Sequence, residues 1–325
     1  MKLSYCITCV QLKVNYGIAY FIRYWGGFIM YNFNSLYKPI TAAPFRTDSS
    51  YTEIIPCKSL KPYIRCFWGT QRPITKTKND ILTEELIIPD TCMDIIFDVN
   101  YSKNTINSSF IGINNEAFKT SVQNKEEVTT STFAIRFYAW TAVLFSDESM
   151  TGVKNKAFDT QQHYSNLKSA IEPLLFDKST LSERIAVTEK ILLGRLNTNR
   201  INSTLETAIY HILSGKGIMK ASSLANEIYV SSRQLERIFN EYIGISPKQL
   251  TSLVRYQNLW NDILFNKHFN VIDAVQLYGY TDQSHLLHDF KKYHSVLPSE
   301  ARQYALDKIK QNDVVNLQYN YDIKE

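Results

Sequence analysis

Two stretches in the C-terminal third repeat one plan, and that plan limits what the chain can fold into. The first is ASSLANEIYVSSRQLERIFNEYIG, residues 221–244; the second is NVIDAVQLYGYTDQSHLLHDFKKYHS, residues 270–295. In each, a short helix, a tight turn and a capped second helix give the helix–turn–helix signature. In the first, Leu224, Ala225 and Ile228 share an apolar face, and the small Ala225 lets a second helix cross closely. Ser231 reads as an N-cap, with Gln234 completing a capping box. Leu235, Ile238, Phe239 and Tyr242 form the buried stripe of the next helix, and Gly244 suits the left-handed position after its end. In the second, Asn270 caps a helix carrying Ile272, Val275 and Leu277, and Gly279 and Tyr280 make the turn. Thr281 or Asp282 caps the following helix, whose stripe is Leu286, Phe290 and Tyr293.

SPKQLTSLVRYQNLWNDILF, residues 246–265, joins the two units. Ser246 is its N-cap and Pro247 sits at the first helical position, where a missing N–H costs nothing. Some twenty residues at ~1.5 Å rise give a rod of roughly 30 Å. Successive major-groove segments on one face of B-DNA lie about 34 Å apart. A helix entering that groove needs hydrogen-bonding side chains at its leading end and an apolar seam behind. Residues 282–285, DQSH, provide such an end. Gln bonds adenine bidentately and Arg favours guanine; Ser and His discriminate less. The same residue types also suit a plain solvent-facing helix start, so the weight rests on two matched units and the rod between them.

Upstream, residues from about 50 to 150 carry short alternating runs broken by turn residues: ELIIPDTCMDIIFDVN (85–100), SFIGI (109–113) and FAIRF (133–137). Period-two alternation reads as strands. The polar runs NTINSS (104–109) and SVQNKEEVTTST (121–132) suit hairpin tips. AWTAVLF (139–145) and LSERIAVTEKILLGRL (181–196) read as helical, the second capped by Thr180 with Glu183 as its capping-box partner. LNTNRINST (196–204) is polar and aperiodic, as a linker is. The expected fold is α+β: a β-rich N-terminal domain with helices, then an all-α domain of two helix–turn–helix units joined by a long helix. The expected boundaries are 30–198 for a regulatory, sensing or dimerisation domain, 199–305 for a DNA-binding domain and 306–325 for a tail. Residues 1–29 are set apart, because WGGFIM (25–30) can be encoded with GGAGG a short distance before the Met30 codon, the spacing of a bacterial ribosome-binding site. Translation from Met30 would make 1–29 a leader outside the fold; the other reading is an apolar N-terminal strand.

A length of 325 residues fits two domains. The composition, 44% hydrophobic and 21% charged, is ordinary for a globular chain, and the formal charge of +5 permits a polyanionic partner without demanding one. Residues 201–302 hold ten Lys/Arg against nine Asp/Glu, so sequence-independent affinity for phosphates is modest. Specific contacts, or dimerisation over two sites, must make up the difference. The cysteines, Cys6, Cys9, Cys57, Cys66 and Cys92, are odd in number and mostly scattered, which argues for a reducing, cytoplasmic setting and against a disulfide framework. GIAYFIRYWGGFIM (17–30) is the nearest approach to a membrane span, and Arg23 interrupts it, so no membrane partner is expected.

The C-terminal arrangement resembles the AraC/XylS family of bacterial transcription regulators. The likeness rests on LANEIYVSSRQLERIFNEYIGISPKQL, on Arg255 in the connecting helix, and on GYTDQSHLLHDFKKY followed by Pro298. The resemblance implies base readers at Ser232, Arg233, Gln234, Glu236 and Arg237 in the first unit. In the second it implies Gln283, Ser284, His285, Leu287 and His288, and it adds Lys248 and Arg255 as DNA contacts. Arg237 fits its role best by residue type and place. Glu236 suits either cytosine N4 or an ion pair with Arg233 or Lys220, and Arg233 suits a base or a phosphate. His288 stands where a basic residue is usual, Ser295 where Gly is usual, and Val275 where a small Ala is usual. These departures motivate the alternative of a non-specific or degraded DNA-binding or interaction module. The N-terminal half resembles the sensor-like domain ahead of this DNA-binding domain in some regulators, through IIPCKSLKPYIRCFWG (54–69), PDTCMDIIFDV (89–99), FIG (110–112) and AIRFYAWTAVLF (134–145). The partners so implied are double-stranded DNA first, then RNA polymerase, a small-molecule effector and a second copy of the chain.

Enzymatic readings find little footing. Asp90, Asp94 and Asp98 are spaced by four, but Pro89 and the strand-like runs around them forbid the helix that would gather them on a metal. Asp94 is instead expected to pair with Arg136. Tyr63, Phe67, Trp68 and Trp140 suit core packing better than an effector pocket, and Cys57, Cys66 and Cys92 suit buried small apolar positions. The four-Cys zinc site of a methyl-accepting repair regulator is missing, as are G-x-S-x-G, H-E-x-x-H and a phosphate-cradling loop. The expectation is a non-enzyme with no cofactor, no metal and no catalytic residues.

Overall fold

The structure is a computed structural model that describes residues 9–12, 20–25, 28–30, 33–41, 50–77, 85–120 and 127–312. Cys6, and with it the Cys6–Cys9 spacing, lies outside them, as do most of residues 1–19 and the end of the tail. The first elements are β1 (Cys9–Leu12), β2 (Tyr20–Trp25) and β3 (Phe28–Met30), a small antiparallel sheet in that order, followed by α1 (Phe33–Leu36).

The alternating runs then form β4 (Thr52–Ile54), β5 (Ile64–Gly69), β6 (Ile74–Lys76), β7 (Glu85–Ile87), β8 (Cys92–Asn100), β9 (Thr105–Ile111), β10 (Phe118–Thr120), β11 (Val128–Tyr138) and β12 (Ala157–Asp159). Seven of them make one antiparallel sheet, β12-β9-β8-β11-β5-β4 with β6 also on β11; β10 and β7 pair separately. Period two puts Ile95, Phe97 and Val99 of β8 and Phe133, Ile135 and Phe137 of β11 on one fully buried face. Phe133 stacks between Phe67 and Phe97, with centroids 6.2 and 6.1 Å away. That face is closed by α2 (Gln161–Ile171), whose Tyr164 meets Phe110 at 4.9 Å, and α3 (Leu181–Arg195) packs against β5.

The opposite face carries charge. Arg136 pairs across the strands with Asp94, donating from Nε at 2.8 Å and from Nη2 at 3.0 Å. Trp68 Nε1 donates to the same carboxylate at 2.9 Å. Asp90 Oδ2 stands 3.5 Å from Arg136 Nη1; burial pushes its carboxyl up to about 6 against the pull of that guanidinium. Asp98 accepts instead from Thr132 at 2.8 Å, so the three aspartates do not share a site. Among the described residues no group of three His, Cys, Asp or Glu side chains could hold a metal. Phe67 and Trp140 are buried core residues, as are Cys66 and Cys92; Cys57, Tyr63 and Trp68 are half-buried.

Several local expectations change. In NTINSS only Asn104 belongs to the tip, the turn at 101–104; Thr105–Ser109 falls inside β9, because β8 supplies a paired partner from Thr105 to Ile111. In SVQNKEEVTTST, Val128–Thr132 opens β11 and pairs with β6 and β8, while 121–126 lies outside the described residues. AWTAVLF is a turn and one 3-10 helix, Ala142–Phe145, buried throughout, since a segment apolar on all sides packs as core rather than as an amphipathic helix. The 196–204 stretch is pinned down: Asn197 N donates to Leu144 O at 2.9 Å, and Arg200 donates to Ser146 O at 2.7 Å and Glu148 O at 3.0 Å.

The helical region comprises α4 (Ser203–Ser214), α5 (Ala221–Glu227), α6 (Ser232–Tyr242), α7 (Pro247–Phe265), α8 (Val271–Leu277), α9 (Gln283–His294) and α10 (Pro298–Asn312). The expected α+β division holds. No helix among the described residues is long and apolar enough to cross a membrane.

Candidate nucleic-acid interface

Each putting-together of the two units begins at a cap. The Ser231 hydroxyl accepts from Gln234 N at 3.1 Å and starts α6; Gln234 makes no reciprocal bond, so the capping box is half-formed. Ser246 and Gln249 form a complete box at the start of α7, and Thr180 with Glu183 at the start of α3. Asn270 caps α8 and Asp282, rather than Thr281, caps α9 through His285 N at 2.8 Å.

The caps fix how each second helix is turned. Leu235, Ile238 and Phe239 of α6 are buried, while Ser232, Arg233, Gln234, Glu236 and Arg237 are exposed. The Arg237 side chain is 72% exposed, with Glu241 3.8 Å away on the next turn. Among the described residues no ion pair joins Glu236 to Arg233 or Lys220. Gly244 follows at φ +81, and a Cβ there would meet Met150 O at 2.4 Å. In α9, Leu286, Phe290 and Tyr293 are buried, while Gln283, Ser284, His285 and His288 are exposed. Leu287 is half-buried against the core, and the His285 ring sits edge-on to Tyr280 with centroids 5.2 Å apart. Ser295 takes the left-handed position at φ 65, the conformation that Gly would adopt freely. Of the apolar residues that α8 carries, Ile272 and Leu277 are 59% and 51% exposed, and Ala274 is the buried residue. A seven-residue helix has few positions that can face inward.

Both units pack on α7, which buries Leu250, Leu253, Tyr256, Leu259 and Trp260. The connecting rod is therefore also a core helix. Lys248 is exposed in its first turn. Arg255 is only 16% exposed: it donates to Asp289 Oδ2 of α9 at 2.8 Å and lies 4.2 Å over the Tyr280 ring. Its charge holds α9 to α7. At the end of α9, His294 Nδ1 is 2.8 Å from Tyr256 OH, and burial lowers its pKa to about 4, which keeps the ring neutral.

The sequence left other residues of this region unread. Gln257 of α7 is 2% exposed; it accepts from Ile40 N at 2.9 Å and donates to Pro89 O at 2.5 Å, both in the β-rich region. Met150 N donates to Glu241 O of α6 at 2.8 Å. Lys154 and Lys156 line a groove of about 610 Å³ with Glu236, Arg237 and Asn240. The run VKNK after Gly152 is the one sequence signal that could have pointed to these lysines.

Two helix–turn–helix units set on one buried spine, with their polar leading ends in solvent, define a double helix–turn–helix region. Residues 224–304 match a family described as a helix-turn-helix domain, and residues 52–159 match a domain of unknown function, DUF6597. Among solved structures, ToxT from Vibrio cholerae is similar over 73% of this chain and 98% of its own, at 11% identity and a TM-score of 0.36. A probable AraC family regulator from Rhodopseudomonas palustris covers 32% of this chain and 98% of its own, at 22% identity and a TM-score of 0.29. An AraC-type regulator from Chromobacterium violaceum covers 31% and 91%, at 19% identity and a TM-score of 0.29. No curated protein matches the chain.

Proposed function

We propose that the chain reads DNA sequence-specifically, with α6 and α9 docked in successive major-groove segments and residues 199–305 as the DNA-binding domain. The observation that carries this is the exposure of both leading ends while the stripes behind them are buried on one helix. Ser232, Arg233, Gln234, Glu236 and Arg237 are the first unit's readers, and Lys248 a phosphate contact. Gln283, Ser284, His285 and His288 serve the second unit, with Leu287 giving apolar contact and Arg255 acting through α9. Residues 30–198 are a regulatory domain that receives an effector or a second copy of the chain. Its grip on α6 and α7 through Met150 and Gln257 supports a role in presenting the readers. The output is control of transcription, in contact with RNA polymerase, in the cytoplasm.

Selection of bound sequences from a random duplex pool tests the assignment. Arg237→Ala is expected to relax preference at one or two positions, at about 1–3 kcal/mol, with the rest of the selected sequence retained. Equal weakening on every sequence would reduce Arg237 to a phosphate contact. Loss of preference in the unaltered protein would favour the non-specific module.

A further inference from the structure

We propose that the loop at residues 150–156, which belongs to the β-rich region, is a third DNA contact: Lys154 and Lys156 bind backbone phosphates beside the groove segment that α6 reads. The inference rests on α6 being a DNA reader.

The loop is built into place from two sides. On one side it docks on the end of α6: Met150 N donates to Glu241 O at 2.8 Å, and Thr151 Oγ1 donates to Asn240 O at 3.5 Å. The bare Gly244 lets this happen, since a Cβ would also meet Val153 Cγ2 at 2.7 Å. On the other side it docks on the end of β9. The bare Gly112 makes the close approach possible: a Cβ there would lie 2.0 Å from Val153 O, and Gly112 N donates to Lys156 O at 3.0 Å. Asn155 closes the clamp, accepting from Asn115 N at 2.9 Å and donating to Asn115 Oδ1 at 2.7 Å. Met150 and Val153 are fully buried between the two supports. The backbone that carries the lysines is thus fixed relative to the first recognition helix.

The charge fits a polyanion. Lys154 and Lys156 are exposed, and among the described residues no carboxylate pairs with either. With Arg237 they put three cations on a groove whose one acidic lining residue is Glu236. The groove follows the exposed stripe of α6 through Glu236, Arg237 and Asn240 towards its C-terminal end. A recognition helix leads with its N-terminal residues, so its far end leaves the groove near the sugar–phosphate strand. Duplex DNA carries one charge per ~1.7 Å of axis, and lysine binds phosphate as a point charge. The helical region alone is nearly neutral, ten cations against nine anions over 201–302, and two lysines from outside it ease that shortage.

The test uses the full chain carrying Lys154→Gln with Lys156→Gln, and measures affinity against salt on a selected duplex and on a random one. Each lost phosphate contact should reduce the log–log salt slope by about 0.9, hence by roughly 1–2 for the pair. Affinity should fall roughly tenfold at ~0.1 M salt, equally on both duplexes, with base preference unchanged. The Lys154→Arg, Lys156→Arg chain should keep the unaltered slope, which separates charge from folding. An unchanged slope in the Gln chain, or tighter binding by it, overturns the proposal. If slope is unchanged while Arg237→Ala still alters preference, the loop contact alone falls. If the unaltered protein binds neither duplex, both readings fall.

Discussion

Arg136 and Asp94 were legible at the scale of single residues, because strand alternation puts Asp94 opposite to Met93 and Ile95. The two-point contact that results sits beside Asp90 and Glu53, so Arg136 has several anionic neighbours but only one bidentate partner. Asp94→Ala should destabilise the fold by about 3 kcal/mol, since it leaves a buried guanidinium without its main partner. Urea unfolding midpoints measure this, and a change below ~1 kcal/mol would mean that Asp90 and Glu53 take over the role. Gln257 was not legible. Its partners lie 217 and 168 residues away, and a lone Gln in a helix carries no signal of them. Lys154 and Lys156 were missed for a similar reason: a solvated loop and a docked loop have the same composition.

Elements were read best where a cap names the boundary. Thr180, Ser231, Ser246, Asn270 and Asp282 all bind the backbone N–H expected of a cap. Caps are local chemistry, so a single sequence displays them. The misjudged elements were those decided by neighbours. β9 is polar enough for a tip but is held extended by β8, and α8 turns Ala274 inward while Ile272 and Leu277, two of the apolar residues that marked it in the sequence, stay in solvent. Removing a cap tests the coupling of element to function. Asp282→Ala should cost about 1 kcal/mol, expose the first amides of α9 to faster hydrogen exchange, and weaken DNA binding through the second unit alone. Faster exchange spread evenly over α6 and α9 would show that the cap serves the whole domain rather than one helix.

At the scale of the whole molecule, α7 sets the geometry. Its 19 residues span roughly 28 Å, near the ~34 Å between successive major-groove segments, and both units pack on it. Its burial makes the spacing rigid, and Gln257 ties that spacing to the β-rich region. Hydroxyl-radical footprinting on a selected duplex, with the unaltered protein, Arg237→Ala and Gln283→Ala, addresses this directly. Two protected segments about one helical turn apart are expected on one face, with base preference relaxed in one segment by Arg237→Ala and in the other by Gln283→Ala. A single protected segment, or two variants that weaken every position alike, would contradict a protein that reads DNA with two helices on one spine.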